Sequence, residues 1–173
     1  MAYPDAPLSP GMQQFVESIG LYFEQFGLAR IGGRILALLM IAERPLSLDD
    51  MARLLQVSRA SVSTNMRLTT SIGMAEQVSF PGDRRDYYQY ATRAWDGAFE
   101  ADLKGLTALR QLAERGLAAL GPGDTTARAH LQETIDFCDF CYEEYSAVRA
   151  RWRARQAARA KGEHADDATS TSP

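Results

Sequence analysis

The segment from Ser47 to Ala91 constrains the fold of this chain more than any other, because its residues predict a helix, a turn, a second helix and a hairpin in that order. Ser47 lies three residues before Asp50 and ahead of an apolar run, which is a capping-box pattern at the start of a short helix. Ser58 is suited to cap the second helix, and Gly73 is suited to end it in a left-handed conformation. The segment therefore predicts a helix-turn-helix unit.

The second of these helices has two different faces. Its buried face is predicted by residues that recur at helical spacing, namely Val62, Met66, Thr69 and Ile72. The opposite face is polar, short-chained and basic, and it carries no acidic residue. Such a surface suits the major groove of DNA, because hydroxyls and amides contact base edges and arginines contact guanine or phosphate. The residues predicted to contact DNA from this helix are Ser58, Arg59, Ser61, Thr64, Asn65 and Arg67.

A β-hairpin is predicted directly after this helix. Val78 and Phe80 lead into a Pro-Gly-Asp turn at 81–83, and a tyrosine-rich strand follows. Arg84 and Arg85 lie at the tip of this two-stranded ribbon. An arginine-tipped hairpin beside a recognition-type helix is typical of a winged helix, whose wing contacts the DNA backbone or the adjacent minor groove. We therefore predict DNA contacts from both arginines.

The sequence RPLSLDDMARLLQVSRASVSTNMRLTTSIGMAEQVSFPGDRRDYY, residues 44–88, closely resembles the GbsR group of MarR-like transcriptional regulators. The upstream run FGLARIGGRILALLMIAERPLS is similar to the lead-in helix of the same group. The resemblance covers Phe15 to Ala91 and implies a dimeric DNA-binding regulator, usually a repressor. It also implies that Asp83 orients the wing and that Arg85, in an Asp-x-Arg pattern, contacts DNA, with Arg84 as the alternative for that contact.

Composition and charge limit the other functions open to the chain. With 173 residues, 46% of them hydrophobic, the chain can bury a core. The net charge of −3 argues against a surface that is basic overall. Between Met51 and Arg93, however, there are six arginines and only three acidic residues, so positive charge is concentrated in this segment. The most apolar window, Ile35 to Ala42, is shorter than the roughly 20 residues of a membrane span. We expect a cytoplasmic protein with no signal peptide, no membrane contact and no disulfide framework.

Helices are predicted on both sides of the winged unit. Ser9 and Pro10 favour the start of the first helix, and two long helices separated by the Gly-Pro-Gly at 121–123 predict an antiparallel hairpin after the wing. The apolar surface of this hairpin is wider than one seam, which predicts a homodimer. The predicted fold is mainly α, a winged helix-turn-helix domain with a two-stranded wing and long flanking dimerisation helices. The predicted segments are a disordered arm (1–8), the DNA-binding domain with its N-terminal helix (9–92), the dimerisation hairpin (93–161) and a disordered tail (162–173).

Two further groups of side chains leave alternatives open. An aromatic group could hold a cationic effector through cation–π contacts, although aromatic residues at helical spacing are usually core. The resemblance supports an effector, because some members of the GbsR group control osmoprotectant uptake or synthesis and respond to such compounds. Cys138 and Cys141 share one helix face and are interpreted as small packing residues, with a thiol switch or a soft-metal site as the alternatives. The aromatic residues are Tyr22, Phe23, Phe26, Trp95 and Phe99.

The sequence predicts a function in binding and not in catalysis. It contains no Gly-rich phosphate loop, no nucleophile–base arrangement and no usable set of histidines. We therefore expect no enzymatic activity, no cofactor and no metal site. The predicted function is a sequence-specific, homodimeric transcriptional regulator of double-stranded DNA, of the repressor type, with a small-molecule effector as a hypothesis. The alternative is a protein-interaction module that keeps the winged fold without specific DNA binding.

Overall fold

The computed structural model describes the backbone of residues 7–169 and the side chains of residues 7–160. This mainly helical fold with a small antiparallel sheet confirms the predicted fold class. It divides into two compact units, an N-terminal unit that ends at Ala98 and a C-terminal unit that begins at Phe99. None of the described helices is long and apolar enough to cross a membrane. In chain order the elements are α1 (Pro10–Gln25), α2 (Arg30–Ile41), β1 (Leu46–Ser47), α3 (Leu48–Leu55), α4 (Arg59–Ser71), β2 (Ala75–Val78), β3 (Tyr87–Tyr90), α5 (Ala94–Ala119) and α6 (Thr125–Thr169).

Side-chain caps fix the starts of three helices in the N-terminal unit, α1, α3 and α4. The Asp50 amide donates to Ser47 Oγ at 3.1 Å, and the Ser47 amide donates to Asp50 Oδ2 at 3.1 Å, which completes the predicted capping box of α3. Partial burial opposes ionisation of Asp50, but the hydrogen bonds from Ser47 outweigh it and lower the pKa of this carboxyl. Ser9 and Ser58 cap α1 and α4 with a single hydrogen bond each, from the amides of Met12 and Ser61 to the serine hydroxyl. The predicted helix starts are therefore confirmed at the level of individual hydrogen bonds.

The sheet has one strand more than the sequence predicts. The predicted hairpin is formed by β2 and β3, in which Ala75 pairs with Tyr90 and Val78 pairs with Tyr87. The additional strand, β1, pairs antiparallel with the other edge of β3, so the order is β1-β3-β2. The two-stranded wing is therefore confirmed, and β1 is an additional strand that the sequence does not predict. A strand of two residues is too short to show the alternation of apolar and polar residues by which strands are predicted. β1 is recognised only from its pairing with the edge of β3.

The core of the N-terminal unit is built around α2, which the sequence predicts as its apolar centre. Ile35, Leu38 and Leu39 are fully buried in that core. Gly33 lets α1 approach closely, because a β-carbon at this position would lie 2.7 Å from the carbonyl oxygen of Ile19. Leu8 is also buried in this core, so the last residue of the predicted disordered arm (1–8) is packed against the protein. Residues 1–6 of the predicted arm lie outside the described residues.

Two glycines join the end of α4 to the first turns of α5, within the N-terminal unit. Gly73 has a φ of 72°, the left-handed value that the sequence predicts for a residue ending α4. A β-carbon on Gly97 would lie 2.7 Å from the Gly73 carbonyl oxygen, and one on Gly73 would lie 2.8 Å from the Gly97 Cα. No other side chain fits at either position without moving backbone.

The C-terminal unit is an antiparallel helical hairpin. Residues 100, 110 and 116 of α5 lie opposite residues 149, 139 and 131 of α6, and two of these pairs are ionic, Glu100–Arg149 at 2.8 Å and Asp139–Arg110 at 2.6 Å. Cys138 is buried in the seam between the two helices, whereas Tyr142 and Tyr145 of α6 are 46% and 40% exposed. Helix α6 continues to Thr169, so it overlaps the tail predicted from residue 162, and residues 170–173 lie outside the described residues.

Candidate nucleic-acid interface

Helix α4 presents its exposed and buried residues on opposite sides. Successive residues of an α-helix turn by about 100°, so residues four, seven and eleven positions apart share a face. The buried face packs into the core through Val62, Met66 and Thr69. The helix is therefore anchored from behind while its other face stays open. That open face is centred on Ala60, Thr64, Arg67 and Ser71.

The residues of α4 that are predicted to contact DNA fall into two groups. Some side chains are exposed, and others form hydrogen bonds within the helix. Thr64 and Arg67 are exposed at the centre of the open face. Arg59 is exposed as well, although its Nε lies 3.1 Å from a carboxylate of α3. The Ser58 hydroxyl accepts a hydrogen bond from the Ser61 amide at 3.1 Å and caps the helix. Three of the predicted side chains are thus placed to meet a partner, and the two serines hold the N-terminal turn.

Asn65 is turned away from the open face. It lies about 140° around the helix from Ala60 and is half-buried. Its Nδ2 donates to the Ser61 carbonyl oxygen at 2.9 Å, and its Oδ1 faces α2, 3.5 Å from where a β-carbon of Gly32 would lie. The side chain therefore lies at the contact between α4 and α2. The base contact predicted for Asn65 would require its amide to release Ser61.

Asp83 organises the tip of the wing. Its carboxylate accepts a hydrogen bond from the Arg85 amide at 3.0 Å, from Arg85 Nη2 at 2.6 Å and from the Tyr87 hydroxyl at 2.8 Å. These hydrogen bonds hold the pKa of Asp83 well below its usual range, and the same carboxylate raises the pKa of Arg85 and of Tyr87. The ring of Tyr87 also lies 5.3 Å from the Arg85 guanidinium carbon and packs edge-on against Phe80. One carboxylate thus ties both ends of the tip together.

The two arginines of the wing differ in freedom. Arg85 is bound to Asp83 through its backbone and side chain, so its guanidinium is already satisfied by an anion. Arg84 is exposed, and among the described residues no hydrogen bond or ion pair holds it. Of the two arginines that the sequence leaves as alternatives, Arg84 is the one with an available charge.

A polar groove separates α4 from the strands of the wing, and the sequence reasoning missed most of it. Its volume is about 470 Å³. Ser63 and Tyr88 line it beside the predicted Arg59 and Arg67. The spacing of Ser63, four residues from each of these arginines, was a usable signal because such residues share a helix face. Tyr88 could not be found in this way, since its position depends on the pairing of β3.

Arg34 connects α1 to the turn between α3 and α4. Its Nη2 donates to the Leu55 carbonyl oxygen at 2.8 Å, and its Nε lies 2.8 Å from Glu17 Oε1 in an ion pair without hydrogen-bond alignment. Leu55 is the last residue of α3, and Gln56 after it adopts a left-handed φ of 54°. Gly20 leaves room for this arginine, because a β-carbon there would lie 2.7 Å from Arg34 Cγ. Arg34 therefore supports the turn that sets the start of α4.

The five predicted aromatic residues do not share one environment. Phe23 is half-buried and packs against a second apolar cluster of the N-terminal unit, formed by Leu36, Met74, Ala91 and Ala94. Tyr22 and Phe26 contact each other edge-on at 4.9 Å and are both more than half exposed, as is Trp95. Phe99 belongs to the C-terminal unit. Tyr22 contacts both Phe23, at 6.4 Å between ring centroids, and Phe26, and the Tyr22–Phe26 pair is the exposed part of this predicted effector site.

The two cysteines of α6 are unlinked. Cys138 is buried and Cys141 is half-buried. Within residues 7–160, histidine, cysteine and carboxylate side chains do not gather in groups of three or more that could hold a metal ion. Packing in the helical seam is the role that the burial of Cys138 supports.

Comparisons with known proteins identify the family. Residues 93–155, which include α5 and the first part of α6, match the family described as MmpR5-like MarR family transcriptional regulator. The chain is 30% identical over 147 residues to the HTH-type transcriptional regulator MmpR5 of Mycobacterium tuberculosis, a match that covers 84% of this chain and 89% of the relative. This chain belongs to the MarR family. The winged helix-turn-helix described above is thus that of a DNA-binding transcriptional regulator of the MmpR5-like kind.

A solved structure supports the same assignment. A crystal structure described as a transcriptional regulator aligns with a TM-score of 0.79 and 29% sequence identity, covering 84% of this chain and 99% of that chain. The alignment therefore includes nearly the whole of that regulator. The membership in the MarR family accounts for the helix-turn-helix and the wing together.

Proposed function

We propose that this MarR-family protein acts as a homodimeric, sequence-specific repressor whose α4 helices enter two major grooves of one operator. The observation that carries the proposal is the open face of α4, where Thr64 and Arg67 stand exposed on a helix whose other side is fixed in the core. A dimer with this motif binds half-sites about 34–36 Å apart, one helical turn of DNA. Regulation would then come from any change in the distance between the two α4 helices.

Each exposed residue has a role in this proposal that follows from its chemistry. Arg67 donates to guanine or to phosphate, and the Thr64 hydroxyl and methyl contact a base edge. Ala60 is small enough to let the helix approach a thymine methyl group. Arg84 contacts the phosphate backbone or the minor groove from the wing, while Asp83 holds Arg85 in the tip. Asn65 keeps α4 aligned with α2.

The homodimer is proposed from the C-terminal unit. Large apolar side chains are exposed on both of its helices, and exposed apolar surface of this kind indicates a protein partner. The proposed partner is a second copy of the chain, because most soluble oligomers consist of identical chains and the symmetric dimer is the commonest of them. The exposed side chains include Leu109, Leu112, Phe137, Phe140, Tyr142 and Val148.

The proposal is tested by selecting bound sequences from a random DNA pool with the full-length protein. The expected result is a palindromic consensus with half-sites one helical turn apart. Thr64→Val should then weaken binding to the consensus more than to random DNA, because a base contact discriminates by about 1–3 kcal/mol. Arg84→Ala should weaken both and reduce the salt dependence by about one unit of slope. Recovery of no preferred sequence would favour the alternative of a protein-interaction module.

Three finer points belong to the same proposal. Assignment to the GbsR subgroup is supported by the sequence pattern of Phe15 to Ala91. A cytoplasmic location is proposed because a regulator that binds chromosomal DNA acts where that DNA is. A cationic effector would lie against the Tyr22–Phe26 pair, whose open ring faces attract cations. Calorimetry with choline tests the effector, and no heat together with unchanged affinity for the consensus DNA would count against it.

A further inference from the structure

The C-terminal half of α6 carries a concentration of positive charge. Between Glu144 and Glu163 the sequence has six basic residues and no acidic one, in a chain whose net charge is −3. The six residues are Arg149, Arg151, Arg153, Arg155, Arg159 and Lys161. A local excess of this size in a chain that is acidic overall indicates a polyanionic partner.

Most of this basic segment lies beyond the Glu100–Arg149 ion pair of the hairpin. The two side chains of that pair are 2.8 Å apart, and Glu100 is the second residue of the C-terminal unit. From Arg149 the helix continues to Thr169, a length of about 30 Å at 1.5 Å per residue. Alanines are interspersed with the arginines, and both residue types favour a helix. The basic side chains are therefore presented on a regular helix.

Three of the arginines form an exposed strip along α6. Arg151, Arg155 and Arg159 follow one another at four-residue spacing, and we call them the arginine strip. Arg151 and Arg155 lie about 160° and 120° around the helix from Arg149, whose side chain faces α5. Among the described residues, no hydrogen bond or ion pair holds Arg151 or Arg155. Like charges four residues apart on a helix repel each other, so a bound anion would stabilise the strip.

The chemistry of the arginine strip favours phosphate as the anion. A guanidinium has a planar pair of N–H donors that matches two phosphate oxygens. A membrane surface is a poor match, because helices that bind there carry large apolar side chains opposite their basic face. Between residues 149 and 160 the only large apolar side chain is Trp152, which is half-buried. Duplex DNA is the phosphate polyanion that a transcriptional regulator meets.

We infer that the arginine strip binds phosphates of duplex DNA outside the base pairs that α4 reads, as a second and sequence-independent contact. This inference rests on the proposed function, because the duplex is the one that α4 selects. Contacts to phosphate add affinity and carry no sequence information directly. The protein should therefore bind an operator within longer DNA more tightly than the same operator alone.

The test compares two duplexes that contain the selected consensus. One is the minimal operator, and the other has about two helical turns of scrambled sequence added on each side. The wild-type protein should bind the longer duplex about tenfold more tightly. In Arg151→Gln/Arg155→Gln this gain should fall below about twofold. The salt dependence on the longer duplex should also fall by about three to four units of slope, because a dimer loses four phosphate contacts.

Two further variants separate this contact from a general effect of charge. Lys104→Gln/Arg115→Gln removes the same charge from exposed positions of α5 and should keep the full gain from the longer duplex. Arg151→Lys/Arg155→Lys keeps the charge of the strip and should retain most of the gain, since lysine also binds phosphate. All three double variants should select the same consensus as the wild-type protein, because the strip does not read bases.

Equal affinity of the wild-type protein for the two duplexes, or an undiminished gain in Arg151→Gln/Arg155→Gln, would overturn the inference. An equal loss on both duplexes together with a raised dimer dissociation constant in sedimentation velocity would also overturn it, because the strip would then bind the second copy of the chain. If the wild-type protein selects a consensus and the added sequence has no effect, only the strip is disproved. If it selects no consensus at all, the proposed function fails.

Discussion

The two units of the molecule differ in how completely they bury their apolar residues. Of the ten largest fully buried side chains in the described residues, nine lie in the N-terminal unit and one, Cys138, lies in the C-terminal unit. The C-terminal unit instead leaves Phe137 and Phe140 exposed by 59% and 64%. Burial of apolar surface is the main favourable term in folding, so the first unit supplies its own stability and the second leaves part of it to be gained by association.

This difference separates two tasks. The N-terminal unit must hold α4 and the wing at fixed positions, and a closed core with capped helices does this without help from a partner. In the proposed dimer the C-terminal unit contacts a second copy of the chain, and its exposed apolar side chains are suited to that contact. Each of the following experiments changes one side of this contrast, in order from the largest expected effect to the smallest.

The largest effect is expected from charges placed on the open face of the C-terminal unit. The double variant Phe137→Glu/Phe140→Glu should raise the dimer dissociation constant about a thousandfold, since each central aromatic residue of an interface contributes about 2 kcal/mol or more. Sedimentation velocity across a concentration series measures this. Circular dichroism of the monomer should still show helices, because both rings are exposed within the protomer. Dimers of unchanged affinity would remove the proposed role of this face.

A core deletion in the N-terminal unit should come next. Leu38→Ala empties space at the fully buried centre of α2 and should lower the free energy of unfolding by about 2–5 kcal/mol. Met40→Ala, on the same helix and 43% exposed, is the matched control and should cost far less. Urea denaturation compares the two. Equal losses would show that the N-terminal unit is not the self-sufficient one.

Loss of Arg34 tests the support of the turn before α4. Arg34→Ala leaves the Leu55 carbonyl oxygen without this donor and should lower the free energy of unfolding by about 1–3 kcal/mol. Arg30→Ala removes an exposed ion pair with the same Glu17 and should cost less than about 1 kcal/mol. Binding to the consensus DNA should fall only in the Arg34 variant. A loss of DNA affinity in both variants would assign the effect to charge instead of position.

Removal of the capping box should have a smaller effect. Ser47→Ala deprives the Asp50 amide of its acceptor and should lower the free energy of unfolding by about 1 kcal/mol. The pKa of Asp50 is lowered in the folded protein, so its contribution is present above the unfolded value of 3.8 and is lost as the pH falls through the folded pKa. As the pH falls below 3.8, the free energy of unfolding should therefore decrease more in the wild-type protein than in the Ser47→Ala variant.

The smallest effect is expected from pH at the wing. The folded pKa of Asp83 lies well below the unfolded value of 3.8, so the order that this carboxylate gives to the tip is present above that value and is lost only in strong acid. DNA affinity from the wing should accordingly stay flat between about pH 5 and pH 8. Asp83→Asn should weaken DNA binding at every pH in this range. A wild-type affinity that changes with a midpoint near neutrality would contradict the role of this carboxylate.

Features that depend on neighbours in sequence could be predicted, and features that depend on distant contacts could not. The caps at Ser47 and Ser58 and the two faces of α4 are local consequences of residue type and spacing, and the structure has them. The orientation of Asn65 depends on its approach to Gly32 of another helix, which no spacing within α4 reveals. The two arginines of the wing look alike in sequence, but the hydrogen bonds of Asp83 make only one of them available.

The junction of Gly73 and Gly97 has a consequence for how this regulator tolerates mutation. Even the single methyl group of alanine would collide with backbone on the opposite segment, and Gly73 also needs its positive φ. Any substitution at Gly73 or Gly97 should therefore disturb the fold, although neither residue has a side chain that could contact a ligand. In a population exposed to conditions that reward loss of this regulator, inactivating changes should accumulate at these two glycines as readily as on the proposed DNA-binding surface.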